Sequence, residues 1–179
     1  HRKEIESEIL QIAEPFSAVL DLLYTLPGLD KNPMTAIAIL SEIGPDMSVF
    51  PSSKHLVSWA GCCPRNDQSN QKVKSRRISR AGSYLKPLLV QVANALIKSK
   101  KHPEFKERYH RIKSRRGHKK AVIAVCKMLL TAIWNMLSKL EPYNPEGFLE
   151  HRPVRQEKTL TVSQALELLR LRGYTITNQ

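Results

Sequence analysis

The sequence predicts an all-α protein, and three apolar patterns support this prediction. Residues 2–24 carry apolar side chains at steps of four and three, residues 84–97 present one apolar face, and residues 121–137 form the most apolar stretch. Such steps follow the turn of an α-helix. A chain of 179 residues with 41% apolar composition is long enough to pack these helices around one sizeable core.

The first segment has the spacing of a helix that packs along a partner helix. Pro15 falls within this pattern and is expected to kink or split the helix. Two interpretations remain open: a long coiled-coil-like helix through which copies of the chain associate into a homo-oligomer, or a helix folded onto its own domain. The apolar positions of this pattern, which we call the seam, are Ile5, Ile9, Ile12, Phe16, Val19 and Leu23.

A helical hairpin is predicted next. The turn at Leu26–Leu29 contains Pro27 and Gly28, and a second apolar run extends from Thr35 to Ile43. This arrangement resembles a helix-hairpin-helix element, which holds a DNA phosphate on backbone N–H groups at a helix N-terminus. Since six residues separate Gly28 from Thr35, a plain connecting turn is the alternative.

A short helix is predicted from Ser53 to Ala60, and a long basic loop from Gly61 to Ser83. The loop is polar, basic and rich in small residues, and it has no helical period. Long loops within compact domains are usually functional or disordered. After the helix at 84–97, residues 102–120 are predicted to form a basic helix. Its inner face is Phe105, Tyr109 and Ile112.

The chain changes character after residue 141, where an arm is predicted to lead into a last helix. That helix runs from about Ser163 to Arg172, beginning near a capping box at Thr161 and ending at Gly173. We therefore divide the chain into three parts: a helical linker at 1–24, a helical domain at 25–141, and a C-terminal arm with its helix at 142–179.

Positive charge is concentrated in the middle of the chain. Residues 72–120 hold 17 Lys and Arg but two acidic residues, a local net charge of +15, whereas the whole chain carries +13. A field of this density recruits polyanions, and counterion release makes nucleic acid the expected partner. The candidate contacts are Arg65, Lys72, Lys74, Arg76, Arg77, Arg80, Arg111, Arg115, Arg116, Lys119 and Lys120.

Several other classes of protein are disfavoured. The three cysteines include an adjacent pair, and an odd count without paired spacing indicates reduced thiols and a cytoplasmic setting. The apolar stretch at 121–137 is too short and interrupted to span a membrane comfortably. No metal site is expected, because Asp67 is the one acidic residue in the basic loop. The chain begins without Met inside a predicted helix, so we expect it to be part of a longer protein.

The remaining candidate for chemistry is Ser69, which lies in the sequence among arginines and lysines that could neutralise a phosphate during phosphoryl transfer. A serine nucleophile needs a base, and no base is identified from the residues. The alternative is that Ser69 is one of several loop hydroxyls, with Ser75, Ser79 and Ser83, that contact phosphates without reacting.

Several ordered blocks resemble the C-terminal domain of IS110/IS1111-type transposases, over roughly residues 20–179. The resemblance implies a DNA recombinase in which Ser69 attacks a DNA phosphate and holds the strand as a phosphoserine. It also implies a preceding RuvC-like domain with acidic Mg²⁺ ligands, absent from this chain, and a structured guide RNA as a second partner. The matching blocks are Leu26–Gly28, Ala38–Asp46, Phe50–Gly61, Cys63–Ser69, Tyr84–Lys86, Leu89–Gln91, Arg115–Ala121 and Arg172–Ile176.

Two functions are therefore expected from the sequence. The first is the DNA-binding and serine-nucleophile part of a transposase, which acts in strand cleavage and exchange; without the metal-binding half, this chain binds but does not recombine. The second is a non-catalytic module that binds DNA or RNA through its basic patch and helical hairpin.

Overall fold

The computed structural model describes residues 1–63, 67–69, 72–75, 84–146 and 162–172, the two short ranges by their backbone. Helices dominate these residues, which confirms the all-α class. The stretch predicted as one continuous basic loop also contains two short antiparallel strands. The elements are α1 (Arg2–Ala13), α2 (Ser17–Tyr24), α3 (Pro33–Ile43), α4 (Ser53–Trp59), β1 (Asp67–Ser69), β2 (Lys72–Ser75), α5 (Leu85–Lys98), α6 (Pro103–Arg116), α7 (His118–Lys139) and α8 (Val162–Leu171), with short 3₁₀ turns at Glu14–Phe16 and Met47–Val49.

The N-terminal segment is split, as Pro15 predicts. The 3₁₀ turn at Glu14–Phe16 separates α1 from α2. Only the second half of the seam enters the core, where Leu23 is fully buried, while Ile12 on α1 is 75% exposed. The segment is thus two helices rather than one long helix, and self-association through α1 stays a prediction.

The connection between α2 and α3 uses its polar groups locally. The Asn32 side chain caps α3 by accepting a hydrogen bond from the Met34 N–H at 3.1 Å. The Gly28 N–H donates to Asp30 Oδ1 at 3.1 Å, and Gly28 lies against Val92 of α5. Because the Gly28 N–H already has a partner within the turn, the phosphate-binding role of this hairpin is not confirmed and stays a prediction.

Helix α7 is the centre of the fold. It packs against α2, α4, α5 and α6, and residues such as Val125, Leu130 and Ile133 are fully buried on it. Trp134 ties it to the chain before α4 by donating its indole N–H to the Phe50 carbonyl at 3.0 Å. Among the described residues α7 is the one helix long and apolar enough to cross a membrane, and 56% of that apolar stretch is buried inside the protein.

The segment after α7 folds back over the start of α6. The Tyr143 hydroxyl donates to Glu104 Oε1 at 3.1 Å, and its ring stacks on Phe105 with centroids 6.3 Å apart. The Tyr143 N–H donates to the Thr25 hydroxyl at 2.9 Å. Burial, together with the nearby Glu104 carboxylate, raises the pKa of Tyr143. These contacts fasten the end of α7 to α6 and α2.

The last predicted helix is present as α8, whose described side chains are all exposed. The capping box at Thr161 and the terminating Gly173 lie outside the described residues. The predicted domain boundaries at 24/25 and 141/142 stay predictions.

A single glycine joins α6 to α7. Gly117 has φ +81° and ψ 170°, a conformation that is essentially restricted to glycine. Its N–H donates to the Lys113 carbonyl, which ends α6, and its carbonyl accepts from the Ala121 N–H, which starts α7. One residue therefore sets the direction between two long packed helices.

We predict that Gly117→Ala lowers the free energy of unfolding by about 1–3 kcal/mol, because a Cβ finds open space but the backbone becomes strained. Urea denaturation measures the loss. Gly44→Ala is the matched comparison and is expected to lose a similar amount, since Gly44 has nearly the same backbone angles and equally open surroundings. A Gly117→Ala protein as stable as the wild type would contradict the prediction.

Candidate nucleic-acid interface

Helix α6 separates apolar and cationic residues onto two faces. Phe105 and Tyr109 recur at helical spacing and are buried against the core. Between them Lys106 and Glu107 are exposed, as expected for an amphipathic helix, whereas Arg108 is half-buried. The exposed cations of α6 are Lys106, Arg111, Lys113, Arg115 and Arg116.

Helix α7 begins earlier than the apolar run that predicted it. Its first turn contains His118, Lys119 and Lys120, all exposed, and burial begins at Ala121. The tight connection at Gly117 therefore brings the cationic end of α6 next to the cationic start of α7. We call this cluster the basic corner, and it consists of Arg115, Arg116, Lys119 and Lys120.

The two halves of the basic corner differ in their helix electrostatics. Arg115 and Arg116 lie in the last turn of α6, where the helix dipole favours cations. Lys119 and Lys120 lie in the first turn of α7, which contains no acidic residue, and there the dipole disfavours them. Cations in that position are costly for the free protein and become favourable when an anion is bound nearby.

No ion pair among the described residues neutralises the basic corner. The ion pairs found in the described ranges join the N-terminus with Glu4, Arg2 with Glu6, and His102 with Glu104, and none of them includes a residue of the corner. Crowding extends along α6, where burial and the neighbouring Arg111 lower the pKa of Arg108. An external polyanion would relieve this repulsion.

The proposed nucleophile lies in the β1–β2 hairpin. Ser69 pairs with Lys72 across the two strands, at the end of the hairpin next to the two-residue connection at 70–71. Asp67 pairs with Ser75 and Gln68 with Val73, so Lys74 is the extra residue of a β-bulge. Within the described residues, Lys72 is thus the cross-strand neighbour of Ser69. The predicted contacts Arg65, Arg76, Arg77 and Arg80 lie outside them.

The residues that lead into this hairpin are held by α5. Lys86, in the first turn of α5, donates its ammonium N–H to the Gly61 carbonyl at 3.2 Å. The adjacent Cys62 thiol is buried, and burial raises its pKa. Burial likewise raises the pKa of Cys126 to about 12. Burial and a raised pKa make both thiols poor nucleophiles.

The described residues contain no cluster of three or more His, Cys, Asp or Glu side chains that could hold a metal ion. The expectation of Mg²⁺ in a separate domain is not tested by this observation.

One polar contact at the basic corner was missed by the sequence analysis. The Tyr109 hydroxyl lies 2.8 Å from Nδ1 of His118, so the buried face of α6 is linked directly to the first residue of α7. The rings meet edge to face with centroids 5.8 Å apart. The basic composition of the segment drew attention to its arginines and lysines, and the spacing of nine residues across a helix break gives no periodic signal.

Comparison with known proteins places the whole arrangement in context. Residues 20–110, just over half of the chain, match the model of the family described as "Transposase IS116/IS110/IS902 family". This range includes the α2–α3 hairpin, the β1–β2 hairpin and most of α6. The basic corner lies immediately after it.

Three relatives are similar to the chain over most of its length. They are the pilin gene-inverting protein of Moraxella bovis (30% identical over 125 residues, 69% of this chain and 38% of the relative), the transposase for insertion sequence element IS1111A of Coxiella burnetii (29% over 122 residues, 66% and 33%), and the insertion element IS110 uncharacterized 43.6 kDa protein of Streptomyces coelicolor (28% over 140 residues, 76% and 33%). The chain thus spans less than two fifths of the length of these relatives. It belongs to the IS116/IS110/IS902 family of transposases.

Proposed function

We propose that this chain binds DNA for a transposase and supplies the serine that exchanges its strands. The observation that carries the binding proposal is the basic corner, where four exposed cations without an ion pair among the described residues meet at one glycine. Membership of a transposase family names DNA as the polyanion. The relatives described as a gene-inverting protein and as a transposase both act on DNA strands, in agreement with this choice.

The contribution of the basic corner to DNA affinity is electrostatic and does not depend on the DNA sequence. Each phosphate neutralised by Lys or Arg releases a condensed counterion, so the logarithm of the affinity falls linearly with the logarithm of the salt concentration. The contacts fix the position of the backbone, while base contacts would have to supply specificity. In this proposal the recognition of sequence comes from a guide RNA, and a structured RNA would be a second polyanion for the same cationic surface.

We predict that Lys119→Ala and Lys120→Ala each lower the salt slope of DNA binding by about 0.9, because each removes one phosphate contact. The same changes raise the free energy of unfolding by about 0.3–1 kcal/mol, since they remove a cation from the unfavourable end of α7. Fluorescence anisotropy over a salt series and urea denaturation measure the two effects.

The matched control for this pair is Lys127→Ala, which removes an exposed lysine from the middle of the same helix, away from the basic corner. The control leaves the salt slope unchanged. If the slopes of Lys119→Ala and Lys120→Ala also equal that of the wild type, the basic corner is not the DNA interface.

The proposed chemistry is a transesterification. Ser69 Oγ attacks a DNA phosphorus, the P–Oγ bond forms, and the bond from phosphorus to one deoxyribose oxygen breaks. The serine proton goes to a general base, and the departing sugar oxygen takes up a proton to leave as a hydroxyl. Because the phosphoserine retains a phosphate ester bond of similar energy, a hydroxyl of a second DNA strand can attack it, release Ser69 and form a new phosphodiester.

The position of Ser69 supports this role in two ways. It lies at the end of a hairpin, next to the connection, and binding and catalytic residues are frequent on connections that a more rigid scaffold positions. A β-bulge lies one pair away at Lys74, and bulges are frequent beside active sites, where they redirect side chains. In this proposal the base and the Mg²⁺ ligands come from a RuvC-like domain in the rest of the protein.

We predict that the intact protein, incubated with its DNA, guide RNA and Mg²⁺ and then denatured, carries DNA covalently attached to Ser69. Mass spectrometry of the linked peptide identifies the residue. Ser69→Ala abolishes the adduct and strand exchange but changes DNA affinity little, and Ser75→Ala is the control hydroxyl on the neighbouring strand.

The outcome also separates the two candidate functions. Strand cleavage without any adduct, or an adduct that persists in Ser69→Ala, would leave this chain as a non-catalytic nucleic-acid-binding module. The basic corner favours that second function equally, because its cations require no reacting serine.

Self-association completes the proposal. Ile5, Ile12 and Phe16 are three of the seam positions and are exposed, so a second copy of α1 is the expected partner for this face. We predict that Ile12→Asp shifts the chain toward monomer in sedimentation velocity. Leu10→Asp, at an exposed apolar position off the seam, leaves the assembly intact. A wild-type chain that stays monomeric at high concentration would refute this pairing, and the choice between dimer and tetramer is left to the same measurement.

A further inference from the structure

The contact between Tyr109 and His118 adds a hydrogen-bonded histidine to the cations of the basic corner. Tyr109 is 6% exposed and anchored in the core, whereas His118 is exposed at the first position of α7. The hydroxyl of Tyr109 and Nδ1 of His118 are 2.8 Å apart. The turn at Gly117 and the packing of α6 against α7 together hold this geometry.

The hydrogen bond determines which ring nitrogen is left for a ligand. A neutral imidazole has one N–H donor and one acceptor nitrogen, and the partner of one nitrogen fixes the role of the other. With Nδ1 of His118 engaged by the buried hydroxyl, Nε2 lies at the opposite edge of an exposed ring. When Tyr109 donates to Nδ1, Nε2 carries the hydrogen and points a donor away from the core.

An imidazole that presents Nε2–H matches the hydrogen-bonding chemistry of a DNA phosphate. The oxygens of a phosphodiester only accept hydrogen bonds, so an imidazole that touches one must present an N–H group. The hydroxyl of Tyr109 can supply the complementary proton to Nδ1 because a phenol both donates and accepts. Lys119 follows His118 directly and Arg116 precedes it by two residues, and the exposed charges of both attract a phosphate to this position.

We propose that His118 binds a phosphate of the DNA backbone through its Nε2–H group and that Tyr109 is the positioning residue that holds the ring in the required tautomer. This inference rests on the proposed DNA-binding function. It adds two residues that charge and spacing do not identify, and it assigns them a role that is separate from charge neutralisation.

A neutral donor has a different signature from a lysine or arginine. It contributes a hydrogen bond and releases no counterion, so its loss weakens binding at every salt concentration without changing the slope. Loss of Arg116, by contrast, changes the slope. The two kinds of contact can therefore be distinguished by one titration series.

The test measures binding of the full chain to a fluorescein-labelled DNA duplex of mixed sequence, in mildly alkaline buffer and over a range of salt. We expect His118→Ala to weaken binding roughly two- to tenfold with the slope unchanged. His118→Gln, whose amide N–H group can replace Nε2–H, restores most of the affinity. His118→Asn, whose amide is too short to reach the same point, does not.

Tyr109→Phe keeps the ring and removes the hydroxyl, and we expect it to weaken binding in the same direction. Long-range ¹H–¹⁵N spectra of the imidazole provide the readout that a purely structural role would not move. In the wild type His118 shows a protonated Nε2, and in Tyr109→Phe the two tautomers mix. Thermal unfolding of each variant confirms that the fold is retained. The control is His55→Ala. His55 is another exposed histidine, it lies on α4, and its ring nitrogen Nδ1 is hydrogen-bonded to the nearby Ser52 hydroxyl.

Each outcome decides the inference. If the wild type does not bind the duplex with a salt-dependent affinity, the proposed DNA-binding function fails. If the wild type binds and Arg116→Ala lowers the slope while His118→Ala matches His55→Ala, only the inference about His118 fails. A changed slope in His118→Ala would show that the histidine acts as a cation, which also overturns the neutral-donor role.

Discussion

The structure depends on the way one helix pair is joined. Helices α6 and α7 pack along each other with one glycine between them, and the backbone of Gly117 adopts a conformation that other residues avoid. The buried side of the pair holds Phe105 and Tyr109 against the apolar face of α7. Because the inner face is committed to the core, the charged residues of both helices are turned outward and meet at the corner. The position of the candidate interface thus follows from the packing.

In the part of the chain that the structure describes, the core residues are apolar, and charged groups reach inward at two points on α6: the Glu104 side chain is 9% exposed, and Nε of Arg108 is buried without a hydrogen-bond partner. The fold is therefore held by apolar burial and by a few specific polar contacts, such as those of Trp134 and Tyr143. The cations of the basic corner act on this balance in opposite directions. Arg115 and Arg116 are favoured by the dipole of α6, whereas Lys119 and Lys120 in the first turn of α7 are disfavoured, and residues held at a cost to stability are expected at functional sites.

Most of the helices could be predicted from the sequence, because their stability comes from periodic apolar burial and periodicity is visible in the residues. The split at Pro15 was also visible in the sequence, because proline lacks the backbone N–H that a continuous helix needs. The β1–β2 hairpin was not predicted. Its strands are three and four residues long, and Lys72, Val73 and Lys74 show too short an alternation to separate a strand from a loop.

Some residues of the candidate site could likewise be predicted from the sequence, and others could not. Arg115, Arg116, Lys119 and Lys120 could be found by counting charge, because electrostatic density needs no three-dimensional information. The pairing of Tyr109 with His118 depends on the direction of the chain at Gly117, and a glycine in a sequence does not reveal its backbone angles. In the helix-hairpin-helix resemblance, by contrast, the sequence pattern is present but the backbone contact that it predicts is not confirmed. Pro27, Gly28 and Thr35 match in residue type, but the Gly28 N–H is already bonded to Asp30.

The geometry of the corner also bears on how binding and strand exchange can be combined in one protein. A recombinase must hold DNA through cleavage and then release or rotate a strand, so its contacts cannot all be equally strong. Lysines and arginines attract the backbone over a distance of about 10 Å at moderate salt, and they let it slide. A hydrogen bond from a fixed imidazole acts only at contact and only in one orientation. Under the proposed DNA-binding function, His118 tied to the buried Tyr109 would set the register of a phosphate that the surrounding cations have already captured, and this order of events would use both kinds of residue at the same corner.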